Sequence, residues 1–177
     1  TGDDIASRYL RNRACNLPRT DEVRWLSSSS RNPIPAMVAR VTDALTNEPI
    51  SIHFTRLRHD GLAKASVELP RLFLKAHAKA GGAIRLYKHD GRLGIAEGIE
   101  TALSISSVPT WAALDAGNLE KFPVLSDVRE LHVFADHDEH GKGLRAARAL
   151  ANRWRQAGRE VTVYLPPMPG DDFNDMA

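Results

Sequence analysis

The spacing of apolar residues changes character near residue 83. Before that point, Ile5, Tyr9 and Leu10 fall at helical intervals, which predicts a short helix over residues 3–14 that Asp3 or Asp4 can cap. A polar stretch, Ser27-Ser28-Ser29-Ser30-Arg31-Asn32-Pro33, marks a loop. Two runs rich in β-branched and apolar residues, 36–41 and 50–57, predict strands joined by the turn Thr46-Asn47-Glu48-Pro49. Asp60-Gly61 turns the chain again into Lys64-Ala65-Ser66-Val67.

After residue 83 strands and helices alternate. Strands are predicted at 84–87, at 93–96 ending on Glu97, at 110–114, at 130–135 ending on Asp136, and at 160–165. Helices are predicted at 99–106, 118–122 and 141–157. The last puts Leu144, Ala147, Leu150 and Trp154 on one face, with Gly158 just past its end. The expected class is therefore α/β. A mostly parallel sheet flanked by helices, over residues 83–177, follows a smaller basic α+β subdomain with antiparallel strands over residues 1–82.

Composition narrows the setting. Hydrophobic residues are 42% and charged residues 26% of 177, and no apolar run approaches the roughly 20 residues needed to span a bilayer. The start, Thr1-Gly2-Asp3-Asp4, has neither the basic nor the apolar part of a leader. The missing initiator Met and the stop after Asp175-Met176-Ala177 suggest a piece of a longer protein. Cys15 is the only cysteine, which excludes an internal disulfide and a multi-cysteine zinc site and points to a reducing, cytoplasmic setting. Charge is uneven. Residues 1–90 hold 15 Lys/Arg against 9 Asp/Glu, and residues 91–177 hold 9 against 13. The basic residues of the first half recur at Arg40, Arg56, Arg58, Lys64, Arg71 and Lys75. A basic half beside an acidic half suits a polyanion on one side and metal ions on the other.

Candidate chemistry gathers where parallel strands end. Ala96-Glu97-Gly98 and Phe134-Ala135-Asp136-His137-Asp138 close two predicted strands, and a third runs through two prolines into Gly170-Asp171-Asp172-Phe173-Asn174-Asp175. Asp136 and Asp138, two apart, share a face if the chain is extended there. Crowded carboxylates repel unless cations neutralise them, and hard oxygen donors without Cys or His favour Mg²⁺ or Mn²⁺ over zinc. Such a cluster suits displacement at phosphorus. Each acid also has a plainer use: Asp138 as cap of the following helix, Glu97 as complement to a helix dipole, and Asp171 and Asp172 as solvated loop acids. His137 and His140 read as exposed loop residues, and Trp25, Trp111 and Trp154 as core or subdomain-contact residues.

The order Glu97-Gly98, Asp136-x-Asp138 with Gly141, then Gly-x-Asp at 170–172, resembles the Toprim domain. The phrases Ile95-Ala96-Glu97-Gly98-Ile99-Glu100-Thr101-Ala102-Leu103 and Asp172-Phe173-Asn174-Asp175 resemble the Toprim primases of phages, plasmids and other mobile elements. A weaker likeness covers Phe54-Thr55-Arg56-Leu57, Asp60-Gly61, Lys64-Ala65 and 81–86, which resemble the basic subdomain preceding Toprim in those enzymes. The resemblance implies a DNA primase that joins ribonucleoside triphosphates into RNA on a single-stranded DNA template. It implies Mg²⁺ or Mn²⁺ held by Glu97, Asp136, Asp138 and Asp172, with catalysis by Glu97, Asp136 and Asp138. Phosphate contacts are expected from Arg56, Lys64 and Arg85, and a helicase or zinc-binding domain is an expected partner outside these residues. Asn174 stands where the bacterial pattern has a second acid, and there is no zinc ribbon. The alternatives are a Toprim nuclease, a topoisomerase lacking an evident tyrosine nucleophile among Tyr9, Tyr87 and Tyr164, or a non-catalytic nucleic-acid-binding module.

Overall fold

A computed structural model describes residues 4–18, 20–74, 80–171, 173–174 and 176. The chain opens with α1 (Ile5–Asn12), capped by Asp4, whose carboxylate accepts from the Ser7 amide at 2.9 Å. Four strands then build an antiparallel sheet: β1 (Val23–Leu26), β2 (Ala36–Asp43), β3 (Pro49–Arg56) and β4 (Arg71–Phe73), hydrogen-bonded in that order. Alternation sets the buried face. Ser51, His53 and Thr55 point inward from β3, while Ile52, Phe54 and Arg56 face out. A short strand, β5 (Gly82–Ala83), adds to β2.

The second sheet is wholly parallel. It comprises β6 (Arg92–Ala96), β7 (Thr110–Ala112), β8 (Glu130–Phe134) and β9 (Glu160–Tyr164), in the order β7-β6-β8-β9. Helices α2 (Ile99–Ser104), α3 (Ala116–Lys121) and α4 (Lys142–Gln156) connect them. Parallel strands need such crossovers, and the helices cover the sheet. Trp111, Phe122, Leu150 and Trp154 fill the core on the side of α3 and α4. The α/β class and the order of its units are as the apolar pattern predicts.

The other side of the parallel sheet is covered by the N-terminal half. Tyr9, Leu10, Met37 and Leu57 pack with Ile99, Leu103, Ala112 and Phe134 in one apolar cluster. Ile84 completes the join. Its amide donates to the Ala112 carbonyl at 2.9 Å and its carbonyl accepts from the Ala112 amide at 3.1 Å. The predicted strand at 84–87 is thus a two-residue strand followed by this one bridge. The predicted strand at 110–114 stops at Ala112, because Leu114 adopts a positive φ of 81° that no extended strand accommodates.

Candidate metal and nucleic-acid site

Register brings the ends of the parallel strands level: Ala96 pairs with Ala112 and with Phe134, and Phe134 pairs with Tyr164. The residues that follow these positions share one edge of the sheet. Glu97 follows β6 directly, Asp136 comes two residues after β8, and Asp115 three after β7. Glu97 and Asp136 line one cavity of about 390 Å³ together with Asp115.

Glu97 carries the clearest electrostatic signature. Burial, then the charges of Asp136, Asp138 and Asp115, push its carboxyl from an ordinary 4.5 up to about 7. Its Oε1 is buried with no hydrogen-bond partner among the described residues. A buried carboxylate oxygen left in this state is costly unless a proton or cation meets it. An oxygen-only set with one such atom fits Mg²⁺ or Mn²⁺. Among the described residues no three His, Cys, Asp or Glu side chains converge on one point at ligating distance. The carboxylates are near enough to perturb Glu97 yet remain apart, as like charges do. Asp172, the fourth expected ligand, lies outside the described residues, as does Lys75.

Asp138 is committed differently. Its Oδ1 accepts from the amides of His140 (3.1 Å) and Lys142 (2.9 Å), and its Oδ2 from that of Gly143 (2.6 Å). These bonds hold its carboxyl below the usual range, and they satisfy the first amides of α4. The helix-cap use open to it in the sequence is the one the geometry shows. His137 is half-buried, contrary to the exposed loop residue expected. Its Nδ1 lies 2.8 Å from the Pro166 carbonyl, its amide donates to Asp171 and its carbonyl accepts from Gly170. It ties the segment after β9 to the Asp136–Asp138 turn. Asn174 is buried too, its amide donating to the Arg13 carbonyl, to Ser104 Oγ (2.8 Å) and toward Cys15 Sγ (3.3 Å).

The expected cationic residues divide. Lys64 lines the cavity but pairs with buried Glu100, Nζ to Oε1 at 2.8 Å. Arg56 faces away: Thr55 and Arg71 are register partners, as are His53 and Phe73, so all four share the cavity side, and Arg56 is one residue out of phase. Arg85 is spent elsewhere. It donates to the carbonyls of Asp43 (3.3 Å) and Ala44 (3.0 Å) and lies 4.4 Å over the Trp111 ring, and burial lowers its pKa.

Sequence reasoning noticed Arg71 only as one of a series and passed over Asp115, Arg13 and Glu100. All four line the cavity. The rule that found Glu97 and Asp136, an acid at a strand's carboxyl end, also finds Asp115. Arg71 needed the register with Thr55, which no sequence pattern supplied.

Residues 92–177 match the family described as the Toprim domain, and residues 1–86 match a family described as a domain of unknown function (DUF7146). No curated protein matches the chain. The Toprim match agrees with the parallel sheet, the acidic strand ends and the Glu-Gly and Asp-x-Asp spacing, and points to metal-dependent processing of nucleic acid as the function class of residues 92–177.

Proposed function

We propose that this chain, with a Toprim domain as its C-terminal half, is the catalytic core of a DNA primase. It would join ribonucleoside triphosphates into a short RNA on single-stranded DNA. The observation that carries the reading is the cavity itself, which is lined by Arg13 and Arg71 from the N-terminal half and by Glu97, Asp115 and Asp136 from the ends of the parallel strands. Basic and acidic side chains lining one cavity suit a polyphosphate and the metal that accompanies it.

Asp136, Glu97 and Asp172 are the residues to hold Mg²⁺ or Mn²⁺, with Asp138 fixing the turn that carries Asp136. A divalent cation bound there would offset charge that develops on phosphate oxygens. Glu97, whose carboxyl is pushed up to about 7 when no cation offsets its neighbours, would assist either by holding the cation or by accepting the proton of the attacking hydroxyl. Arg71, exposed on the cavity side and without an ion-pair partner among the described residues, is the first candidate to bind phosphate. The primer hydroxyl attacks the α-phosphate of the incoming nucleotide, forming the new P–O bond as pyrophosphate departs.

The test is direct. Incubate the protein with single-stranded DNA, labelled ribonucleoside triphosphates and Mg²⁺ or Mn²⁺. RNA products dependent on template and metal support the proposal. Shortened DNA strands would support a nuclease instead, and binding without either product a non-catalytic module.

A further inference from the structure

Glu100 is almost fully buried, at 6% exposure, and it belongs to no strand end. It lies in the first turn of α2, three residues beyond Glu97. Its Oε1 accepts from the Tyr9 hydroxyl of α1 at 2.6 Å and from the Lys64 ammonium at 2.8 Å. Burial alone would raise its carboxyl, but the Lys64 charge and the hydrogen bonds from Lys64 and Tyr9 bring it down to about 2. It is a buried, charged anion whose compensation comes chiefly from the other half of the chain. Its backbone is anchored as well: the Glu100 carbonyl accepts from Ser104 Oγ (3.0 Å) and from Cys15 Sγ (3.5 Å).

Lys64 holds the other end. It forms an isolated bridge with Leu57, and the flanking amides of Arg58 and Ala65 donate to Ala63 and Arg56. The segment between touches α1 through Arg8 to the Asp60 carbonyl and Asn12 to the Leu62 carbonyl. One carboxylate oxygen therefore joins the segment that follows Glu97 to two of the N-terminal elements beside the cavity, α1 and the Lys64 segment.

We propose that Glu100 is a positioning residue: through Tyr9 and Lys64 it sets the distance between the N-terminal residues that line the cavity and the acidic strand ends, and Lys64 is its pin rather than a phosphate contact. The proposal rests on the nucleic-acid reading of the cavity. A charge already neutralised at 2.8 Å releases few counterions when a phosphate arrives. Both singles act through one contact, so their effects should not add.

The experiment measures binding of a labelled oligothymidylate by anisotropy across a salt series for wild type, Glu100→Gln, Lys64→Met, the double variant and Lys64→Arg. Glu100→Gln and Lys64→Met should each weaken binding about tenfold at fixed salt, the double variant no further, with the salt slope unchanged. Lys64→Arg, which keeps the ion pair, should restore wild-type affinity. A slope flattened by about 0.7 in Lys64→Met alone would identify a phosphate contact and overturn the proposal. Unchanged affinity in both folded singles would overturn it too. Should wild type bind no single strand, the functional reading fails, and hydrogen exchange still decides the pin. Glu100→Gln must then speed exchange at the Arg58 and Ala65 amides and at the C-terminal turn of α1 together; unchanged exchange refutes it.

Discussion

The α-carbon of Gly143 stands against the Glu97 carboxylate: a Cβ at that position would lie 2.8 Å from Glu97 Oε1 and 2.6 Å from the Asp136 carbonyl oxygen. The first turn of α4 thus presses directly on the acids at two strand ends. In an exposed helix, glycine to alanine usually stabilises by up to about 1 kcal/mol. Here the added methyl meets backbone, which cannot swing aside. Gly143→Ala should therefore lower the melting temperature and disturb metal binding, whereas Gly158→Ala, with open space around it, disturbs only a positive-φ turn. Thermal melts and Mn²⁺ titration of both variants check this. A Gly143→Ala protein with wild-type metal affinity would place the carboxylate elsewhere.

Glu97 makes stability depend on pH in a defined direction. Its carboxyl is raised in the folded state from 4.5 to about 7, so folding favours the protonated form. The stability it contributes is complete below about 4.5 and is lost as pH rises through about 7. Glu97→Gln should then melt above wild type at pH 8 and together with it at pH 4. Mg²⁺ should narrow the gap at pH 8 by stabilising wild type alone. Coincident melting at pH 8 would mean that the charged carboxylate costs the fold nothing.

Asp136→Asn should abolish metal-dependent activity while leaving the melting temperature equal to or above that of wild type, because it relieves repulsion on Glu97. A clear drop in melting temperature would mark Asp136 as structural.

At position 174 the structure sets a trap for the acid found in the bacterial pattern. The Asn174 amide donates to the Arg13 carbonyl and to Ser104 Oγ, whose own hydroxyl is already given to Glu100. A carboxylate oxygen in place of that amide nitrogen would meet the Arg13 carbonyl and the Ser104 oxygen, two groups that now accept from it. Asn174→Asp should lower the melting temperature more than Asn174→Ala does. Unimpaired folding with tighter Mn²⁺ binding would instead make the position a metal ligand.

Arg71→Ala should flatten the salt dependence of single-strand binding by about 0.7 in log–log slope. Arg56→Ala should leave it unchanged, being on the opposite face of β3, and Arg85→Ala should cost stability alone. Equal slopes for wild type and Arg71→Ala would remove the cavity wall from phosphate binding.

The α/β alternation was legible because buried parallel strands such as β8 and the long apolar stripe of α4 leave strong periodic signals. The acids at the ends of β6 and β8 were legible by the same route. What the sequence hid are relationships across elements. That Arg56 faces away from the cavity and Arg71 toward it depends on a strand, β4, only three residues long. That Lys64 and Glu100 neutralise each other depends on two residues 36 positions apart in sequence. Arg85 looked like a phosphate ligand because nothing in its neighbours reveals Trp111 beneath it.

The Ile84–Ala112 bridge bears on how such a protein can be inherited. The two family matches end at residue 86 and begin at residue 92, yet the seam between the sheets lies within reach of that boundary and crosses it. A recombination event that carried residues 92–177 into another gene would deliver a β7 edge with bare amides and carbonyls, and Ile99, Leu103 and Phe134 open to water. Only a new neighbour offering a matching strand and an apolar surface could receive it. Exchange between lineages should therefore favour the two segments moving as a single cassette.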